Sequence, residues 1–158
     1  MAAMSAMSEN VIEYVTATIG GQLFGLPIGR VQDVFMPERL TRVPLAATEV
    51  AGLLNLRGRI VTVIDMRRRL DFEERAENGA KRGPLALGIE HKGESYGLLI
   101  DHIGEVLKLP AASREGNPVN LDPRLARVSA GVHRLDGRLL VVLDVERVLD
   151  ATPSAQAA

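Results

Sequence analysis

The chain has 158 residues, 46% hydrophobic and 25% charged, with a formal net charge of -1 and no cysteine. That length supports one domain of ordinary size or two small lobes on a common core. The missing thiols exclude a disulfide scaffold and a zinc–thiolate site, and the near-zero net charge provides no global field for nucleic acid or anionic lipid.

Residues 1–11 are small and polar without periodicity, as are 151–158 (ATPSAQAA), so both ends read as flexible tails on one domain spanning 12–150. No cationic segment runs into an apolar one at the start, and no apolar run approaches the roughly 18 residues of a spanning helix. A cytoplasmic protein without direct membrane insertion is expected. Residues 11–19 are β-branched and end at Gly20-Gly21, so they pair with 22–28 as a hairpin, with Pro27 demanding an edge or a bulge. A short strand follows at 31–36, then a connector between Pro37 and Pro44. Residues 51–56 and 60–64 form a second hairpin turning at Arg57-Gly58, and the apolar residues on both faces of 60–64 predict burial on both sides. One helical turn is expected at 66–70, then a charged linker at 71–83.

Beyond Pro84 the order repeats, with strands at 85–90, 95–100 and 103–109. Phe24-Gly25-Leu26 matches Tyr96-Gly97-Leu98, and Ile28, Val31, Asp33 and Val34 match Ile100, Ile103, Glu105 and Val106, at an offset of 72. Gly52, Leu56, Gly58, Arg59, Val63, Asp65, Arg68 and Leu70 recur as Gly131, Leu135, Gly137, Arg138, Val142, Asp144, Arg147 and Leu149, at an offset of 79. Chance gives roughly one or two identities over that length, so the unit is duplicated, as repeat 1 (12–83) and repeat 2 (84–150). The offset grows because the second connector, 110–130, is seven residues longer. Five short strands per half leave two edges unless the sheet closes, so the expected fold is all-β: two pseudo-symmetric five-stranded barrels with short helical turns. Halves this small need a shared hydrophobic core.

Chemistry-bearing patterns are few. Gly93-Glu94-Ser95-Tyr96-Gly97 fits the G-x-S-x-G nucleophile elbow, which would make the protein a serine hydrolase through Ser95. The residues after it keep a β pattern, and repeat 1 carries Leu23 in the serine's place, so the glycines read as hairpin punctuation. His91, His102 and His133 lack metal-ligand spacing and read as partly exposed strand residues; no metal, cofactor or catalytic residue is expected. Asp65 and Asp144 are placed to cap the helical turns that follow them. Arginine is abundant, sixteen against three lysines, and Arg57, Arg59, Arg67, Arg68 and Arg69 fall close together. An RNA-binding barrel is one reading of that cluster. The acidic 71–77 stretch and the shortage of aromatics oppose it, and pairing of guanidinium forks with carboxylates and carbonyls at a protein interface is the simpler reading. Arg57 is singled out because its repeat partner is Asp136: the duplicated architecture does not require arginine there.

The segment 52–67, GLLNLRGRIVTVIDMR, resembles the CheW family of bacterial chemotaxis coupling proteins, whose signature is approximately G-x-x-N-L-R-G-x-[IV]-[IV]-P-[IV]-x-D-L-R. The likeness extends over about 13–150. Thr62 stands where the family often has proline and Met66 where it often has leucine, and Pro27 and Gly29 are also unusual. The resemblance implies a non-enzymatic scaffold of two SH3-like barrels that joins the cytoplasmic tip of a chemoreceptor to the regulatory domain of the chemotaxis histidine kinase. Such a protein is expected to be monomeric alone, to enter rings or arrays with its partners at the membrane, and to bind no nucleic acid. It implies a receptor-binding groove carrying Val31, Asp33, Arg57, Ile103 and Val106, with Asn55 and Gly58 holding the turn that presents Arg57. Asp33 stands where glutamate is common, so it reaches one methylene less far. An adaptor of a non-flagellar chemosensory pathway is the alternative within the family.

Overall fold

The computed structural model describes residues 10–73 and 85–150; the predicted tails and the 71–83 linker lie wholly or mostly outside them. Within the described residues eleven strands form two sheets. The six-stranded sheet runs β8 (His102–Pro110), β1 (Val11–Ile19), β2 (Gln22–Pro27), β11 (Arg138–Leu143), β10 (Ser129–Leu135), β9 (Arg114–Glu115). The five-stranded sheet runs β3 (Val31–Phe35), β6 (Leu85–His91), β7 (Glu94–Ile100), β5 (Arg59–Asp65), β4 (Val50–Leu56). Short helices α1 (Met66–Arg69), α2 (Pro123–Ala126) and α3 (Val145–Asp150) complete the all-β fold.

The expectation of one closed barrel in each half is corrected in two respects. Neither sheet closes by strand pairing, since β8 and β9 end one ladder and β3 and β4 the other. Each sheet also draws on both repeats. The β1–β2 hairpin pairs with repeat 2, through β8 and through a parallel β2–β11 ladder, and the β6–β7 hairpin pairs with repeat 1, through β3 and a parallel β5–β7 ladder. The first hairpin of each repeat is thus exchanged. β2 is an inner strand, yet Pro27 is harmless there because the β11 ladder covers only Leu23–Gly25. Past it, no neighbour on that side needs the missing donor.

Alternation across the pleat distributes the apolar residues over three cores. Ile64 and Leu143, repeat equivalents, face a large core shared by both sheets, together with Phe24, Leu26, Ile89 and Leu98. On the other face Leu140 and Val142 pack with Tyr14 and Leu23, while their equivalents Val61 and Val63 pack with Leu54. Both faces are therefore dry over Val61–Ile64 of β5 and Leu140–Leu143 of β11, which is why these stretches read as continuous apolar runs. Ile60, at the start of β5, is 51% exposed, against the expected burial.

The duplicated glycines explain themselves by contact. Gly52 (φ 155°) and Gly131 (φ 135°) sit at equivalent bulges, and a Cβ on either would lie 2.7 Å from the Thr41 carbonyl oxygen or 2.8 Å from that of Glu115. The duplicated aspartates cap as expected: Asp65 Oδ1 accepts from the Arg67 and Arg68 N–H groups (3.0 and 3.4 Å), and Asp144 Oδ1 from those of Glu146 and Arg147 (3.0 and 3.3 Å).

Candidate interaction site around Asp33 and Arg57

The β4–β5 hairpin turns through Arg57 (φ 54°) and Gly58 (φ 83°), a pair of left-handed residues that matches the twist of the flanking strands. Asn55 Oδ1 accepts from the Gly58 N–H at 2.9 Å, so the NLRG segment braces its own turn. The Arg57 side chain is 80% exposed, and its Nη1 lies 3.5 Å from Asp33 Oδ2 on β3. Asp33 reaches it by lying across β6 at Gly88, where a Cβ would collide with Asp33 Oδ1. The pair borders a cleft of about 270 Å³ that Gln32, Phe35, Gly88 and Ser95 also line. Val34, next to Asp33 on β3, is 41% exposed and does not line the cleft.

Of the residues expected in the groove, Asp33 and Arg57 meet directly and Asn55 and Gly58 shape their turn. Val31 is half-buried against the shared core. Ile103 and Val106 lie on β8, an edge of the other sheet, and do not line this cleft; they are exposed there, at 40% and 48%. They occupy on β8 the places that Val31 and Val34 occupy on β3. Gly88 was missed. Its signal was a glycine inside a strand, which marks the close approach of another group.

The other chemical patterns resolve into architecture. Ser95 lies within β7, paired with Val61, and the chain continues as strand to Ile100, so the strand-to-helix elbow of a hydrolase is not formed. The arginines after Arg59 are spent inside the molecule. Arg67 meets Asp101 fork to fork, Arg68 reaches Asp65 (3.6 Å) and the Thr48 carbonyl (3.3 Å), and Arg69 donates to the carbonyls of Val148 (2.9 Å) and Arg147 (2.8 Å). The hydrogen bond and charge of Asp101 raise the Arg67 pKa further above its ordinary value. Among the described residues no cluster of three or more His, Asp or Glu is placed to hold a metal ion.

The histidine reading needs correction, because only His102 is exposed. His91 is buried and its Nε2 lies 2.9 Å from Asp150, which also receives Lys92 at 3.1 Å; these bonds hold the Asp150 carboxyl below its usual pKa. His133 is 1% exposed. Ser113 Oγ gives its one proton to the Pro110 carbonyl (2.8 Å), so His133 Nδ1 must donate to Ser113 (2.9 Å) and His133 Nε2 must accept from the Tyr14 hydroxyl (2.9 Å). Burial, helped by Arg114, lowers the His133 pKa, and burial raises that of Tyr14. The partners come from β1 and the 110–113 turn, too far away in sequence to be read from spacing.

Residues 13–152 match the family model described as CheW-like domain. The chain belongs to this family. It is 25% identical over 142 residues to the chemotaxis protein CheW of Helicobacter pylori, covering 90% of this chain and 84% of that protein. It is 32% identical over 85 residues to the protein PilI of Pseudomonas aeruginosa, covering 54% of this chain and 46% of PilI. The crystal structure of the scaffolding protein TtCheW of Thermoanaerobacter tengcongensis superposes with a TM-score of 0.77 at 25% identity, over 87% of this chain and 86% of that one. The residues by which this CheW-like chain departs from the family signature, Thr62 and Met66, are fully buried, away from the exposed Arg57 hairpin.

Proposed function

We propose that this CheW-like protein is a non-enzymatic adaptor that couples the cytoplasmic tip of a chemoreceptor to the regulatory domain of a chemotaxis histidine kinase. The observation that carries the reading is the Asp33–Arg57 pair, held by a braced hairpin at an open cleft. A solvated pair of this kind contributes little to folding and leaves both charges available to a partner. Exposed Ile103 and Val106 give β8, an edge of the other sheet, a second apolar patch suited to the face of a helix, with half-buried Val31 in the equivalent place on β3. Two related but unequal sheets give the molecule unlike ends, which favours heterologous contacts and growth into rings or arrays, and many weak attachments then act together. The kinase would be controlled by differential binding of its states. No helix among the described residues is long and apolar enough to cross a membrane, and the protein acts in the cytoplasm, recruited to receptor arrays.

Arg57→Glu should leave the melting temperature unchanged and weaken binding to a soluble receptor signalling-tip fragment by more than about 2 kcal/mol, the scale of an interface hot spot. Binding equal to wild type in a titration would overturn the reading. The similarity to PilI favours a second version, the same adaptor in a chemosensory pathway whose output is not flagellar swimming. Deletion in the source organism, scored for swimming and for surface motility, separates the two.

A further inference from the structure

The chain passes between the two sheets at two places related by the repeat, and they are built differently. At the first, between β7 and β8, stands Asp101. Its N–H donates to the Thr18 carbonyl (3.0 Å), and its carboxylate accepts from the Gly20 N–H (2.8 Å), from Arg67 Nε (2.9 Å) and from Arg67 Nη2 (2.6 Å). Gly20 belongs to the hairpin of the six-stranded sheet, and Arg67 to the helix that leaves the five-stranded one. One carboxylate therefore ties both sheets at the crossing. The two side chains are only 22% and 10% exposed, so solvent screens this bidentate pair weakly.

At the second crossing, between β2 and β3, the tie bypasses the crossing turn: Asp150 at the end of α3 holds the β6–β7 hairpin through His91 (2.9 Å) and Lys92 (3.1 Å). At the offset of 72 Gly29 takes the place of Asp101 and Lys92 that of Gly20; at 79, Glu146 takes the place of Arg67. No carboxylate stands at the crossing, and a glutamate replaces the guanidinium. The turn Ile28–Arg30 has no buried residue, a Cβ on Gly29 would meet nothing within 4 Å, and Arg30 reaches only the Glu90 carbonyl, exposed, at 3.4 Å. Both crossings lead directly into an edge strand that carries proposed partner contacts: β8 with Ile103 and Val106, β3 with Val31 and Asp33.

We propose that Arg67 and Asp101 are a positioning pair: they fix β8 as the rigid wall of the interaction surface, while the unclamped turn Ile28–Arg30 leaves the start of β3 as the wall that yields when a partner docks. The clamp rests on the geometry above, and its consequence for partners rests on the adaptor reading.

Amide hydrogen exchange of the full chain tests the clamp without any partner. In the wild type the amides of 28–31 should exchange at least tenfold faster than those of 101–103. Asp101→Asn, and Arg67→Lys as a variant that keeps the charge but loses the fork, should each raise exchange at 101–103 at least tenfold. Neither should change 28–31 or the core amides of Leu98 and Val141. Both should weaken a soluble chemoreceptor signalling-tip fragment at least fivefold. Unchanged exchange at 101–103 overturns the proposal, and so does a rise shared by the core amides, which marks a merely structural pair. Locally raised exchange with wild-type tip binding overturns the positioning role. Arg57→Glu measured in parallel separates the two readings: if it also binds the tip normally, the adaptor reading fails and the exchange result alone decides the clamp.

Discussion

The outer core of the six-stranded sheet and that of the five-stranded sheet start from one plan and are sealed by opposite chemistry. Leu140 and Val142 line the first, and their equivalents Val61 and Val63 the second. In the first, Tyr14 reaches in from β1 and its hydroxyl begins the relay through His133 to Ser113, the Tyr14 and His133 rings meeting edge-on at 5.1 Å. In the second, Tyr14 is replaced by Ala86 and His133 by Leu54, and Phe35 fills the space, lying where a Cβ on Gly97 would be 2.9 Å from its ring. The polar seal leaves Tyr14 and His133 themselves buried. The apolar seal comes from the edge strand β3, and Phe35 on that strand also lines the open cleft beside Arg57. Duplication has kept the skeleton, and divergence at a few positions has sealed one lobe with a polar relay and left the other beside an open cleft.

The comparison presumes that the lobes cannot exist apart, and the largest effect tests that. Truncation after Gly83 removes β6 and β7 from one sheet and β8 to β11 from the other, stripping partners from the shared core. The remaining piece should show no cooperative melting transition and should aggregate or bind a hydrophobic dye. A soluble first half with a sharp transition would mean that the exchanged hairpin is dispensable.

Next in size is the part of the plan that both lobes retain. Gly52→Ala and Gly131→Ala each force a side chain into left-handed backbone and against a carbonyl oxygen, that of Thr41 or of Glu115. Each should cost about 2–4 kcal/mol in denaturant titration, and the two costs should agree closely. A large cost at only one of them would show that the bulge matters in a single lobe.

The polar seal is the smaller target, and it belongs to one lobe only. Tyr14→Phe leaves His133 Nε2 buried without its donor and should cost about 1–3 kcal/mol. It also has a pH signature. The His133 pKa is lowered in the folded protein, so below the unfolded value of about 6.5 the unfolded chain binds the proton more readily. The stability is complete above that value and is lost as the pH falls through it toward the folded pKa. Melting temperature should therefore be level above about pH 7 and decline toward pH 5, and His133→Gln should flatten that decline. A wild-type curve level over this range would remove the relay from the comparison.

The sequence made the repeat legible because its marks are local. Gly52 and Gly131, the caps Asp65 and Asp144, and the hairpin turns at Gly20, Arg57 and Lys92 each answer a demand made by residues within a few positions. The hairpin exchange was not legible, because Phe24-Gly25-Leu26 and Tyr96-Gly97-Leu98 present the same pattern to either sheet. Which sheet each joins is decided by contacts such as the parallel Gly25–Val142 and Gly97–Val63 pairs, more than thirty residues apart. For the site, the NLRG turn was readable as a unit and Asp33 was reached only through the resemblance to the CheW family. Their meeting depends on Gly88, a residue of the other repeat. The arginine cluster misled for the same reason: the partners of Arg67 and Arg69 are Asp101 and the end of α3.

The smallest expected effect on stability lies at the position where function is placed. Arg57 approaches Asp33 only at 3.5 Å, with one side chain 80% and the other 29% exposed. Such a pair loses in side-chain freedom and salt screening most of what attraction supplies. Arg57→Ala should therefore shift unfolding free energy by less than about 0.5 kcal/mol, a change read from the denaturation midpoint at constant slope. Asp33→Asn should do the same, and the double variant should show no coupling beyond that range. The contrast with Arg67, nearby in sequence but screened from solvent and gripped by Asp101, separates an arginine that holds this fold together from one the fold holds out. A coupling above 1 kcal/mol between positions 33 and 57 would place Arg57 with the structural arginines and leave the cleft without its presented charge.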